Sequence, residues 1–121
     1  MIVIGEKING AIQSIKQAIA DRDAELIKQR TIAQTEAGAH FLDCAPSVAP
    51  ELEYDAMVWL LDIMQAVSDV PICIDSPNPE LLKRVFEEGL VKKPGMINSV
   101  IHELLQKAYE TDEVLVIGED V

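Results

Sequence analysis

The sequence predicts an α/β fold built on a parallel sheet, with elements in the order βαβαβαβαβ. Three observations carry this. Short apolar runs rich in β-branched residues recur along the chain, each closed by Gly, Pro, Asn or Asp. Between them lie stretches whose apolar residues fall at helical spacing. The length of 121 residues and the 49% hydrophobic content suit one domain with a substantial core. Strands alternating with helices imply parallel pairing through right-handed crossovers.

The elements follow in order. Residues 1–4 form a strand closed by Gly5 and read as buried on both faces; Asn9-Gly10 breaks the chain after it. Ile12, Ile15, Ala18 and Ile19 predict a helix over 11–20. Asp23 caps a second helix over 24–37, with Leu26, Ile27, Arg30, Ala33 and Ala37 on a common side and Gly38 as its stop. Residues 40–45 are a second strand, followed by a loop with Pro46 and Pro50. A strongly amphipathic helix over 51–67 runs through Met57, Leu60, Leu61, Met64 and Val67, and Glu51, Glu53 and Asp55 at its start suit the helix dipole. Residues 71–77 are a third strand, and 79–89 a helix with Pro79 near its first position. A fourth strand over 95–100, a short helix over 101–109 and a fifth strand over 114–118 complete the series. No linker or low-complexity segment divides it, so 1–121 reads as a single domain. Two architectures remain open at this point, an open doubly wound sheet and part of a (β/α)8 barrel.

Charge and composition exclude several functions. Ten Lys and Arg against 21 Asp and Glu leave a net charge of −11, which argues against gripping a phosphate backbone or an anionic membrane. No run approaches the roughly 18 apolar residues of a membrane span. The start of the chain lacks a signal peptide's pattern, so a cytoplasmic location is expected. Cys44 and Cys73 stand too far apart for a zinc motif and read as small buried residues at strand ends; no metal site is expected. His40 and His102 have no partner at ligand spacing and read as structural.

Four of the five predicted strands end in polar groups: Glu6, Asp43, Asp75-Ser76 and Asn98-Ser99. In parallel α/β folds such positions gather at one rim, where ligands bind. Carboxylates and a carboxamide there suit a planar ligand edge carrying both donors and acceptors. Turn formation explains any one of them, and Asp75-Ser76 or Asn98-Ser99 could simply cap the next helix. It is their recurrence in successive strands that points to a site.

Four segments resemble a known family. Ile4-Gly5-Glu6-Lys7-Ile8-Asn9-Gly10, Glu36-Ala37-Gly38-Ala39 leading to Leu42-Asp43, Cys73-Ile74-Asp75-Ser76 and Met96-Ile97-Asn98-Ser99 are similar in order and spacing to the pterin-binding methyltransferases. These include the methyltetrahydrofolate:corrinoid methyltransferases, the folate module of cobalamin-dependent methionine synthase and, more distantly, dihydropteroate synthase. Trp59-Leu60 also fits. The resemblance implies a (β/α)8 barrel whose rim binds methyltetrahydrofolate, with Asp75 and Asn98 hydrogen-bonding the pterin. It gives Glu6, Asn9, Asp43, Ser76 and Ser99 rim or supporting roles. It further implies that the N5 methyl passes to cob(I)alamin held by a separate corrinoid protein, cobalamin being bound only there. N5 must gain positive character before methyl leaves, so acid groups and hydrogen bonds near it help.

Such barrels run to about 250 residues. The resemblance covers the N-terminal half, and the later strands' pterin-binding Asp and the Asn near N5 have no counterpart here. No catalytic residue is therefore assigned, and full catalysis by the isolated chain is not expected. A half barrel leaves its first and last strands with unpaired backbone groups, which predicts a homo-oligomer or a complementary C-terminal half. The alternative is a non-catalytic, oligomerising half-barrel or scaffold.

Overall fold

In the computed structural model, which describes residues 2–92 and the backbone of 114–117, the apolar runs and helical stripes become β1 (Ile2–Gly5), α1 (Gln13–Asp21), α2 (Ala24–Glu36), β2 (Phe41–Cys44), α3 (Pro50–Val67), β3 (Ile72–Ile74), α4 (Pro79–Glu87) and β4 (Val114–Ile117). The strand expected over 95–100 and the helix over 101–109 lie outside the described residues, and Asn98, Ser99 and His102 with them.

Local chemistry explains most boundaries. α1 starts later than its apolar spacing suggests because Asn9 first makes a turn: its Oδ1 accepts from Ala11 N at 2.8 Å and its carbonyl from Ile12 N at 2.9 Å. α1 ends on Arg22, which takes a left-handed φ of 55° while its guanidinium lies 5.1 Å from the Trp59 ring centre. Asp23 caps α2 as expected, accepting from Leu26 N at 3.2 Å, and Gly38 follows that helix at φ 93°. The cap of α4 is Asn78, whose side chain accepts from Glu80 N, rather than Asp75 or Ser76.

The buried side of α2 differs from the expected one. Ile27, Thr31 and Gln34 face inward, while Ala37 is exposed. A polar stripe can be buried there because each group is satisfied: Thr31 Oγ1 donates to the Ile27 carbonyl at 2.8 Å, and Gln34 Nε2 to that of Arg30 at 3.1 Å.

The strands are parallel in the order β3-β2-β1-β4. β1 pairs with β2 through Ile4↔Phe41 and Gly5↔Leu42, and β2 with β3 through Leu42↔Ile72, Asp43↔Cys73 and Cys44↔Ile74. β4 lies on the other side of β1, residue for residue from Ile2↔Val114 to Gly5↔Ile117. This corrects the expectation of a bare first strand; the edges among the described strands are β3 and β4.

Side chains of successive strand residues point to opposite faces, and the two faces are dissimilar. Leu42, Cys44, Ile72 and Ile74 join Ile15, Ile19, Ile27, Met57, Leu60, Met64, Leu81 and Val85, so α1 to α4 all contribute to the core on one face. The second cluster is Ile4 and Cys73 with Ile2 and Phe41 against them, and no described helix contributes to it. A doubly wound sheet carries helices on both faces; the described helices cover one. Met57 and Met64 are fully buried, as core residues should be. Both cysteines are buried and neither forms a disulfide among the described residues, and Cys73 is central to its strand rather than terminal. No described helix is long and apolar enough to cross a membrane.

Candidate functional site

The strands run parallel, so their C-terminal ends share one rim. Asp43 lies on β2 between Leu42 and Cys44, which face the helices, and so belongs to the opposite face with Ile4 and Cys73. Glu6 is two residues beyond Ile4, and Asp75 two beyond Cys73. Alternation thus carries all three carboxylates toward the face that no described helix covers.

Their electrostatics confirm the proximity. Asp43 is 9% exposed. Burial first, then the negative charges of Asp75 and Glu6, push its pKa from 3.8 to about 8, against a hydrogen bond with the Cys44 backbone. The shift favours the protonated form of Asp43, which can donate as well as accept. Beneath it, burial first, then the charges of Asp43 and Asp75, push the Cys44 thiol far up, so Cys44 stays protonated. Among the described residues, no three His, Cys, Asp or Glu side chains form a group suited to a metal ion.

The loops that carry the acids are tied to one another. Ala45 N donates to the Ile8 carbonyl at 3.0 Å, and Gly10 N to that of Ala45 at 2.8 Å, extending the β1–β2 pairing past the strands. Ser47 Oγ donates to Asn9 Oδ1 at 3.1 Å. Asn9 thus has a supporting place in this structure, holding the β1–α1 loop against the β2–α3 loop. The loops touch so closely that a Cβ on Gly10 would overlap the Pro46 carbonyl oxygen.

Two polar residues that sequence reasoning missed hold this rim from behind. Gln34 of α2 is 1% exposed and accepts from Lys7 N at 2.9 Å, which anchors the chain just after Glu6. Gly5 packs closely beside it, and a Cβ there would meet the Gln34 amide oxygen and Leu42 Cδ2. Glu53 of α3 is 4% exposed, and its Oε2 accepts from Ser76 Oγ at 2.6 Å. From the sequence alone, Glu53, with Glu51 and Asp55, has only the role of suiting the helix dipole. One signal was available: Glu53, Met57, Leu60 and Met64 follow helical spacing, so the acid extends the apolar stripe.

The structure brings together Glu6, Asp43 and Asp75, with Asn9 and Ser76 in the adjoining loops. The Ser76 hydroxyl is engaged within the fold, donating to Glu53 and accepting from Asn78 N at 3.0 Å. His40 is structural: its Nδ1 accepts from Val3 N at 2.9 Å, and its own N–H donates to the Val3 carbonyl at 2.7 Å.

Comparison with known proteins gives two findings. No protein-family model matches the chain. A curated protein, the methylcorrinoid:tetrahydrofolate methyltransferase of Eubacterium limosum, is 52% identical over 103 residues, which are 85% of this chain and 37% of that protein. The chain therefore spans well under half the length of the relative it matches.

Proposed function

Because the chain belongs to the methyltetrahydrofolate:corrinoid methyltransferase-like family, of which its relative shows it to span a part, we propose that it forms the pterin-recognising portion of such a methyltransferase. The observation that carries this reading is the convergence of Glu6, Asp43 and Asp75 at the strand ends, on the face that no described helix covers. Asp75 and Asn98 anchor the pterin, Asp75 accepting from ring N–H groups and Asn98 both donating and accepting. Asp43, in the protonated form that its raised pKa favours, adds a donor beside the acceptor oxygens of Asp75 and Glu6.

A parallel sheet with its described helices on one face supports a (β/α)8 barrel whose interior is lined by Ile2, Ile4, Phe41 and Cys73. A corrinoid protein supplies the cobalt centre that exchanges the methyl group. The relative's name writes the transfer from methylcorrinoid to tetrahydrofolate. The residues proposed here serve either direction, since a group that stabilises the transition state lowers the barrier both ways. Their task is to hold the pterin plane and to set hydrogen bonds around N5, where charge changes as methyl arrives or leaves.

Two measurements test this. In calorimetry with 5-methyltetrahydrofolate, Asp75→Ala and Asn98→Ala will each weaken binding by about tenfold or more, the worth of a charge-assisted hydrogen bond. Unchanged affinity in both variants overturns the site assignment. The edges at β3 and β4 further lead us to expect association with a second copy or with a complementary C-terminal half. Sedimentation of the chain at micromolar concentration will show a species larger than the monomer, and a compact monomer alone would rule out the second copy.

A further inference from the structure

The strongest unassigned feature is a buried carboxylate behind the rim. Glu53 would pack more cheaply as an apolar residue, since it continues the stripe of Met57, Leu60 and Met64 into the core. A carboxyl group in that position loses hydration, and a side chain of matching volume without charge is often as stable or more so. What the acid adds is a directed acceptor. Its Oε2 takes the Ser76 hydroxyl hydrogen at 2.6 Å. The same hydroxyl accepts from Asn78 N at 3.0 Å, and Asn78 Oδ1 in turn accepts from Glu80 N at 3.1 Å in the cap of α4.

This chain of bonds fixes residues 75–78 from the helix side. From the sheet side, Asp75 N donates to the Cys44 carbonyl at 2.9 Å. Asp75 therefore stands between two anchors, one on β2 and one on α3. Removing the α3 anchor leaves Ser76 held only by Asn78 N and loosens residues 75–78, and with them the placement of the Asp75 carboxylate relative to Asp43.

We propose that Glu53 is a positioning residue for the pterin site, acting through Ser76 to aim the Asp75 carboxylate. The inference rests on the reading of Asp75 as a pterin contact. Glu53 itself does not touch the ligand, and its contribution is to reduce the number of orientations Asp75 can take before binding.

The test compares Glu53→Met, Glu53→Gln and Ser76→Ala in the full chain. Met matches the volume and removes the acceptor, whereas Gln keeps an acceptor oxygen. Two readouts are taken: the titration of the Asp43 carboxyl by NMR, without ligand, and the affinity for 5-methyltetrahydrofolate. Glu53→Met and Ser76→Ala will lower the Asp43 titration, because Asp75 moves off, and will weaken binding roughly tenfold to hundredfold, as misplacement of a positioned group does. Glu53→Gln will restore both toward wild type. An Asp43 titration unchanged in Glu53→Met overturns the inference; should that variant not fold, an unchanged titration in Ser76→Ala does so. A wild-type chain that binds no pterin would instead count against the proposed function, and the titration comparison would still decide the role of Glu53.

Discussion

Asp43→Asn will flatten the pH dependence of folding stability. In the wild type, burial together with Asp75 and Glu6 raises the Asp43 pKa from 3.8 to about 8. A raised acid binds its proton more tightly in the folded state than in the unfolded one. Its contribution to stability is complete below the unfolded pKa and is lost as pH climbs to the folded value. Within that window the loss is about 1.4 kcal/mol per pH unit, so between pH 6 and pH 8 it amounts to about 2–3 kcal/mol. Asn keeps the shape and does not titrate. Urea unfolding at pH 6 and pH 9 will show a difference smaller in the variant by about that amount. Parallel stability profiles for the two proteins would mean that Asp43 is already ionised at neutral pH, and the donor role proposed for it would fall.

Gly10→Ala is the second large effect. The position has no side chain because the β1–α1 and β2–α3 loops meet there. An added Cβ would overlap the Pro46 carbonyl oxygen and stand 3.2 Å from Ser47 Cβ. Backbone atoms cannot yield as a flexible side chain can, so the loops must separate, breaking the hydrogen bonds of Gly10 N and Ala45 N. Overpacking of this kind costs about 1–3 kcal/mol. The midpoint of urea unfolding will fall accordingly. Binding of 5-methyltetrahydrofolate will weaken as well, since the same contact holds Glu6 and Asp43 in register. A variant as stable as wild type and equally able to bind would show that the two loops can part without consequence for the rim.

Much of the fold was legible from local chemistry. The strand 1–4 ended at Gly5, the Asp23 cap held, and the stripe Met57-Leu60-Leu61-Met64 faced the core, because these features depend on spacing within one or two turns. The polar residues at the strand ends, Glu6, Asp43 and Asp75 among them, are legible from the strand pattern alone. The inward face of α2 was not legible: an apolar pattern favoured Ala33 and Ala37, yet Thr31 and Gln34 are buried. Their partners are carbonyls one turn back and, for Gln34, a backbone N–H 27 residues away.

Residue order alone thus determined which of the described segments are strands and helices, and which acids lie at the ends of those strands. Tertiary structure decided that β4 sits beside β1, that the described helices share one face, and that burial and neighbouring charges raise the Asp43 pKa. It also decided that Gln34 and Glu53 support the rim from within the core. The reason is range. Periodicity and capping act over a few residues, whereas strand order, burial and the meeting of charges depend on contacts between distant segments, and a raised pKa exists only once burial and two neighbouring carboxylates surround the same group.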